Sequence, residues 1–265
     1  MSKIIIKYDE WARLGNRMFL FAFAKILADK KQAELYGSPL LNFPNTHNIN
    51  SNIPETLNNP ISVKAVYGSH SVNYDELLNT NRDIIVDSYL QRSEYYIQDR
   101  EQIKQWFMIP NADMYAAPEK SELVVHIRET DYKTLGILLN EKFYIEGLTK
   151  LAALINATKI TVVTDNCNAP IIKTLSDTGI NILSNVPVNT FMHSIDEPMI
   201  RDYMYMLKSN YLLISQSSFS WWAAFLGDHS KVYFPVTNNK SMWKMHPDKT
   251  DIDLFIDGKF DKILV

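Results

Sequence analysis

Apolar and polar positions along this chain fall into alternating short and long blocks. Residues 3–7 form an isoleucine run that reads as a first strand, and a loop with Gly15-Asn16 separates it from Arg17 to Lys31. That stretch is apolar almost all round, which predicts a helix lying in a core. Ala33 to Tyr36 reads as a short second strand, and residues 42–62, rich in Asn and Pro, read as loop. Asp83 to Gln91 is a third strand candidate and Ile97 to Phe107 an amphipathic helix. Pro110 to Lys120 has the composition of a linker.

A second series follows it. Strands are predicted at Glu122 to Arg128, Lys159 to Thr164, Asn181 to Leu183, Tyr211 to Ser215 and Val232 to Pro235. Helices are predicted at Glu141 to Ile155, Ala169 to Thr178, Ile200 to Ser209 and from Trp221 to Leu226. Strand–helix alternation of this kind implies an α/β fold with a mainly parallel sheet. The expected division is two Rossmann-like domains, 1–117 and 118–265, with a cleft between them.

Composition narrows the class. The 265 residues are 46% hydrophobic and 22% charged, ordinary globular values. A net charge of −3 without a basic run argues against nucleic-acid binding. A single cysteine, Cys167, leaves no intramolecular disulfide framework and suits a reducing cytoplasm. No stretch reaches the roughly 18 apolar residues of a membrane span, so the expectation is a cytoplasmic protein with at most peripheral membrane contact.

Ligands of open parallel sheets sit beyond the carboxyl ends of the strands, and three predicted strands end in chemistry. "VVHIRETDY" (124–132) puts His126 and Arg128 on one face of a strand, followed by Glu129, Thr130, Asp131 and Tyr132. "ITVVTDN" ends in Thr164, Asp165 and Asn166. "YLLISQSSFSWW" ends in Ser215, Ser217, Ser218 and Ser220 ahead of a tryptophan-rich helix. An arginine opposite a serine-rich helix start makes a clamp suited to phosphate, and Asp165 could accept two N–H bonds from a guanine edge. Singly, each residue also has a structural explanation: His126 as a satisfied buried histidine, Arg128 paired with Asp131, Asp165 as a turn residue, Ser218 as a helix cap.

Four ordered blocks carry a resemblance. "ARLGNRMFLFAFAKILA" (12–28), "VDSYLQRSEYY" (86–96), "VVHIRETDY" and "LLISQSSFSWWAAFLG" (212–227) resemble the α-1,2-fucosyltransferases (glycosyltransferase family 11). More distantly they are similar to protein O-fucosyltransferases and α-1,6-fucosyltransferases. The resemblance implies a GT-B fold and inverting, metal-independent transfer of fucose from GDP-β-L-fucose to a glycan, with no cofactor. It implies that Arg128 neutralises the leaving diphosphate, His126 helps hold the nucleotide, and Asp165 binds guanine. Ser217, Ser218, Phe219 and Ser220 would lie along the donor, while Arg13, Gly15 and Asn16 would serve the acceptor side. The general base is left open: Glu129, Asp131 and Asp87 are carboxylates near the expected cleft, with Tyr132 beside them, and in such enzymes the departing phosphate can itself take the acceptor proton.

The chain departs from that pattern where Glu129 and Thr130 stand for a second arginine and a glycine, Arg17 for a glutamine, Ala12 for a glycine and Asn166 for an aspartate. Asp251-x-Asp253 reads as a solvated turn rather than a metal pair. Three rival readings remain: transfer of another GDP-deoxysugar, a catalytically inactive nucleotide- or carbohydrate-binding protein, and a hydrolase built on Ser218. The last lacks a Gly-x-Ser-x-Gly elbow.

Overall fold

The structure is a computed structural model in which residues 2–64, 70–136, 138–177, 181–184, 198–236 and 251–264 are described. The chain divides into two compact units. One comprises Met1–Pro110 with the segment ending at Leu254, and the other Asn111–Met245 with Phe255–Val265. The division therefore falls after Pro110 rather than after residue 117, and a late segment belongs with the first unit.

In the first unit the described elements are β1 (Lys3–Ile6), α1 (Leu14–Lys31), β2 (Glu34–Tyr36), β3 (Ile61–Lys64), α2 (Tyr74–Asn79), β4 (Ile84–Asp87) and α3 (Arg100–Trp106). The strands make a parallel sheet in the order β2-β1-β4-β3. The uniformly apolar run in α1 is buried from Met18 to Ala24, as an all-round hydrophobic helix must be. Phe21 and Phe43 both meet Phe107, at ring-centroid distances of 5.9 and 5.1 Å. Each such fully buried side chain contributes roughly 1.5–3 kcal/mol relative to exposure. Asn16 is in the first turn of α1. The position before the helix is Arg13, whose side chain makes no capping bond.

β3 begins in the last two residues of the stretch expected to be loop and runs past it, and the strand expected over Asp83 to Gln91 ends at Asp87. The Asp251/Asp253 segment is not a solvated turn. Asp253 pairs with the backbone on either side of Arg92, donating to Gln91 O and accepting from Ser93 N. The carboxylate of Asp251 accepts from His70 N and Ser71 Oγ, and its carbonyl from Arg92 Nη1 at 2.6 Å.

The second unit contains β5 (Glu122–Ile127), α4 (Thr130–Leu135), α5 (Glu141–Leu154), β6 (Lys159–Thr164), α6 (Pro170–Asp177), β7 (Asn181–Ser184), α7 (Pro198–Leu207), β8 (Tyr211–Leu213), α8 (Ser218–Leu226), β9 (Lys231–Val236) and β10 (Phe260–Leu264). Its six strands are parallel in the order β10-β9-β8-β5-β6-β7. β5 is buried along its whole length, as a central parallel strand should be. Leu123, Val125 and Ile127 share a core with Phe143, Leu148 and Ile171 from α5 and α6. Even its first residue, Glu122, is inside. That carboxylate is satisfied by Tyr205 Oη at 2.6 Å and Lys159 Nζ at 3.2 Å.

Candidate functional site

The strand order of the second sheet locates its ligand crevice. From β5 the chain adds β6 and β7 on one side, then returns to add β8, β9 and β10 on the other. The order reverses between β5 and β8, and ligands of open α/β sheets bind outside the carboxyl ends at such a reversal. His126 and Arg128 come from the end of β5, and Ser215 to Ser218 from the end of β8. Two of the three strand-end groups read from the sequence are thus brought to the reversal, and Asp165 joins them from β6.

His126 bridges the two strands. Its Nδ1 lies 2.7 Å from Ser215 Oγ, and its ring lies against Phe219 at 6.1 Å, which in turn meets Tyr203 at 5.7 Å. The residue is 3% exposed. Burial, helped by the positive charge of Arg128, drives its pKa down to about 3. The imidazole is therefore neutral at physiological pH and positions the strand ends rather than trading protons. Ser215 is equally inaccessible, so the pair is not a nucleophile and its base.

Arg128 is held by two carboxylates. Its Nε donates to Asp131 Oδ1 at 2.8 Å and its Nη1 forms an ion pair with Asp165 Oδ2 at 2.9 Å, with the guanidinium 5.9 Å from the Tyr132 ring centre. Tyr132 Oη donates to Gln216 O and ties α4 to the end of β8. Asp165 accepts further bonds from Glu129 N at 2.9 Å and Thr130 Oγ1 at 2.6 Å. Both of its oxygens take contacts within the chain, Oδ1 from Glu129 N and Oδ2 from Thr130 and Arg128, so a guanine edge would share this carboxylate with them. Thr130, a partner the sequence reasoning did not single out, stands at the position the resemblance assigns to a glycine. Its hydroxyl is the signal that could have marked it.

Glu129 is almost fully buried, which raises its pKa above the usual carboxylate range, against the opposing charge of Lys133. It lines a cavity of about 140 Å³ together with Arg128, Lys133, Leu139, Tyr144 and Ile171. The serines divide. Ser217 occupies the position before α8 and makes no side-chain capping bond, so the helix begins at Ser218 without the cap expected of it. Ser220 is fully buried, and its Oγ donates to Ser217 O at 3.2 Å, which turns it away from any ligand. Ser218 and Phe219 remain partly exposed.

Arg13, Gly15 and Asn16 belong to the first unit. Arg13 is exposed and Gly15 buried, and Asn16 Oδ1 accepts from Gln91 Nε2 at 3.0 Å. Among the described residues no group of three or more His, Cys, Asp or Glu is placed to hold a metal ion. No helix among them is long and apolar enough to cross a membrane.

No protein-family model matches the chain, and neither does any curated protein sequence. Solved structures do. Arabidopsis thaliana FUT1, as an arginine-to-lysine mutant in complex with GDP, superposes with a TM-score of 0.54 over 87% of this chain and 70% of its own, at 11% identity. NodZ α-1,6-fucosyltransferase soaked with GDP-fucose gives 0.50 over 86% and 93%, at 12% identity. Fucosyltransferase NodZ from Bradyrhizobium gives 0.51 over 86% and 94%, also at 12%. At these identities the likeness is one of fold. The chain has the GT-B-like architecture of two parallel-sheet α/β units seen in those fucosyltransferases.

Proposed function

We propose that this chain is a glycosyltransferase that moves L-fucose from GDP-β-L-fucose to a glycan hydroxyl, with inversion at the anomeric carbon and without metal or cofactor. The observation that carries the reading is Arg128, set by two carboxylates at the order reversal of the second sheet. It stands in a fold whose solved counterparts were captured with GDP or GDP-fucose. In the transfer, the acceptor oxygen bonds to the anomeric carbon as the bond from that carbon to the diphosphate oxygen breaks. The electron pair leaves on GDP, and the departing diphosphate takes up the proton that the acceptor hydroxyl gives up. The charge growing on the diphosphate is the largest target for stabilisation.

Arg128 has five N–H donors; its Nε donates to Asp131 and its charge pairs with Asp165, so further N–H groups can meet phosphate oxygens while the guanidinium keeps its orientation. Its positive charge and the free N–H groups at the start of α8 take the part a metal plays elsewhere. His126 and Ser215 hold the two strand ends in register. The first unit, with Arg13 and Asn16, takes the acceptor, and the α-1,2 linkage follows the ordered sequence blocks. A cytoplasmic setting belongs to the same proposal and is supported by the single cysteine.

The test is nucleotide release from a panel of GDP- and UDP-sugars, with and without EDTA. Release from GDP-fucose that persists with chelator supports the reading. Release confined to another GDP-deoxysugar changes the sugar, and release only with divalent metal removes the metal-free mechanism. One observation favours a second reading, binding without turnover: Glu129 replaces a cation and Arg128 is already paired with two acids. GDP affinity without release from any sugar in the panel would select it.

A further inference from the structure

We infer that the carboxyl edge of the first sheet is a carbohydrate-binding strip, in which a pyranose ring stacks on Trp11 beside the polar groups of Asn16 and Tyr89. The inference rests on the glycosyl-transfer reading, for which the bound sugar is the acceptor, but its evidence is separate. In the first sheet the chain passes from β1 to β2 on one side and returns to β3 and β4 on the other. The reversal therefore lies between β1 and β4, and the crevice rule points to the loops that follow those two strands. Trp11 is in the first loop, and Tyr89 and Gln91 are in the second.

Trp11 is 80% exposed, whereas Trp106, Trp221 and Trp222 are all 8% or less. An indole that could bury ~150–250 Å² is left mostly in water. The loop carrying it is nevertheless built. The two oxygens of Asp9 accept from Trp11 N at 2.8 Å and from Tyr89 Oη at 2.6 Å. Asn16 Oδ1 accepts from Gln91 Nε2 at 3.0 Å, and Gln91 N donates to His70 Nδ1 at 3.1 Å. Because Nδ1 accepts, the neutral His70 ring carries its proton on Nε2 and is a donor there.

Two runs of hydrogen bonds, one from Trp11 N and Tyr89 Oη to Asp9 and one from Gln91 to Asn16 and His70, thus hold the loops that present the exposed indole and set amides, a phenol and an imidazole along the same sheet edge. A pyranose has matching chemistry. One face is a plane of C–H groups, and its rim of hydroxyls both donates and accepts, as amides and a phenol do.

The experiment uses the full chain and two readings. The first is acrylamide quenching of tryptophan emission, with Trp11→Phe measured in parallel to isolate the Trp11 component, and with lactose, methyl β-D-galactoside or GDP added. Saccharide is expected to shield the Trp11 component and GDP to leave it unchanged. The second is the KM for a saccharide acceptor, which should rise about tenfold in Trp11→Ala, the usual scale for losing a central tryptophan contact, while GDP affinity stays within about twofold. Asp9→Asn, which loosens the tether but keeps the ring, should raise KM by less.

Trp11 quenching untouched by every saccharide, shielding by GDP instead, or an unchanged KM in Trp11→Ala overturns the inference. If GDP binds and sugar is transferred while Trp11 is inert, only the strip falls. If saccharide shields Trp11 while no GDP-sugar is turned over, the transfer reading falls and the strip stands.

Discussion

Arg128 and Asp165, from the ends of neighbouring strands β5 and β6, form an ion pair at 2.9 Å in which both side chains are largely buried. The pair fixes the guanidinium that the proposed chemistry depends on, and it also sets the cost of changing it. Arg128→Ala should reduce transfer by roughly 30-fold to several thousand-fold, from the ~2–5 kcal/mol lost when one partner of a buried charged pair is removed. Asp165 would be left without its counter-charge, so the melting temperature should fall as well. Arg128→Lys should recover more of the stability than of the transfer, because an ammonium keeps one ion pair but not the fork. Initial rates and melting curves on the same preparations decide it. A folded Arg128→Ala enzyme keeping more than about a tenth of its activity would remove the arginine from the mechanism.

Asp131 is the more exposed of the two acids on Arg128, and it competes with phosphate for the same cation. Asp131→Asn should therefore tighten GDP binding. A partly exposed ion pair is worth about 0.2–1 kcal/mol, which sets the gain at up to about fivefold, shrinking as salt is added. Calorimetry across a salt series tests this. Weaker GDP binding in the variant would mean that Asp131 serves chiefly to aim the guanidinium.

Ser218 opens α8, yet the helix has no side-chain cap. Ser218→Ala should leave stability nearly unchanged and reduce GDP affinity by the ~0.5–1.5 kcal/mol of one hydroxyl bond, with the backbone N–H groups still in place. A lowered melting temperature with GDP affinity intact would assign the hydroxyl to the fold instead.

His126 makes stability depend on pH. The unfolded imidazole takes up its proton near pH 6.5, whereas in the fold burial and Arg128 hold it neutral down to about 3. Between those values the unfolded state binds more protons, so stability falls as the pH drops, by up to ~1.4 kcal/mol per pH unit. Urea midpoints at pH 7 and pH 5 should separate more in the wild type than in His126→Asn. Equal separation would show that the imidazole is not held neutral.

Asp202 on α7 works in the opposite direction. It is 2% exposed, its Oδ1 has no hydrogen-bond partner among the described residues, and burial, opposed in part by Arg201, raises its carboxyl to about 7. The fold holds this proton from about pH 4 to 7 while the unfolded chain releases it, so stability declines across that window and the full loss is present above it. Asp202→Asn should be more stable than the wild type at pH 8, by an amount on the order of a few kcal/mol, and close to it at pH 4. Thermal melts at both values test this.

Most of the second unit was legible in the sequence. Its strands and helices repeat with their own periods, and β5 and β6 were read nearly to the residue because buried parallel strands are continuous apolar runs. The His126 and Arg128 face followed from strand alternation, and the pairing of Arg128 with Asp131 was one of the structural alternatives the sequence offered. β3 escaped notice because a short edge strand between Asn- and Pro-rich segments has no period of its own. Only tertiary structure decided that Asp165 closes on Arg128 and Thr130, that Ser215 meets His126, and that Asp251 returns to His70 and Ser71. Those contacts depend on which strands become neighbours, and local hydrophobic pattern does not encode strand order. The order reversals that single out β5/β8 and β1/β4 arise from packing whole sheets, where many weak apolar contacts add up before any one polar pair can form.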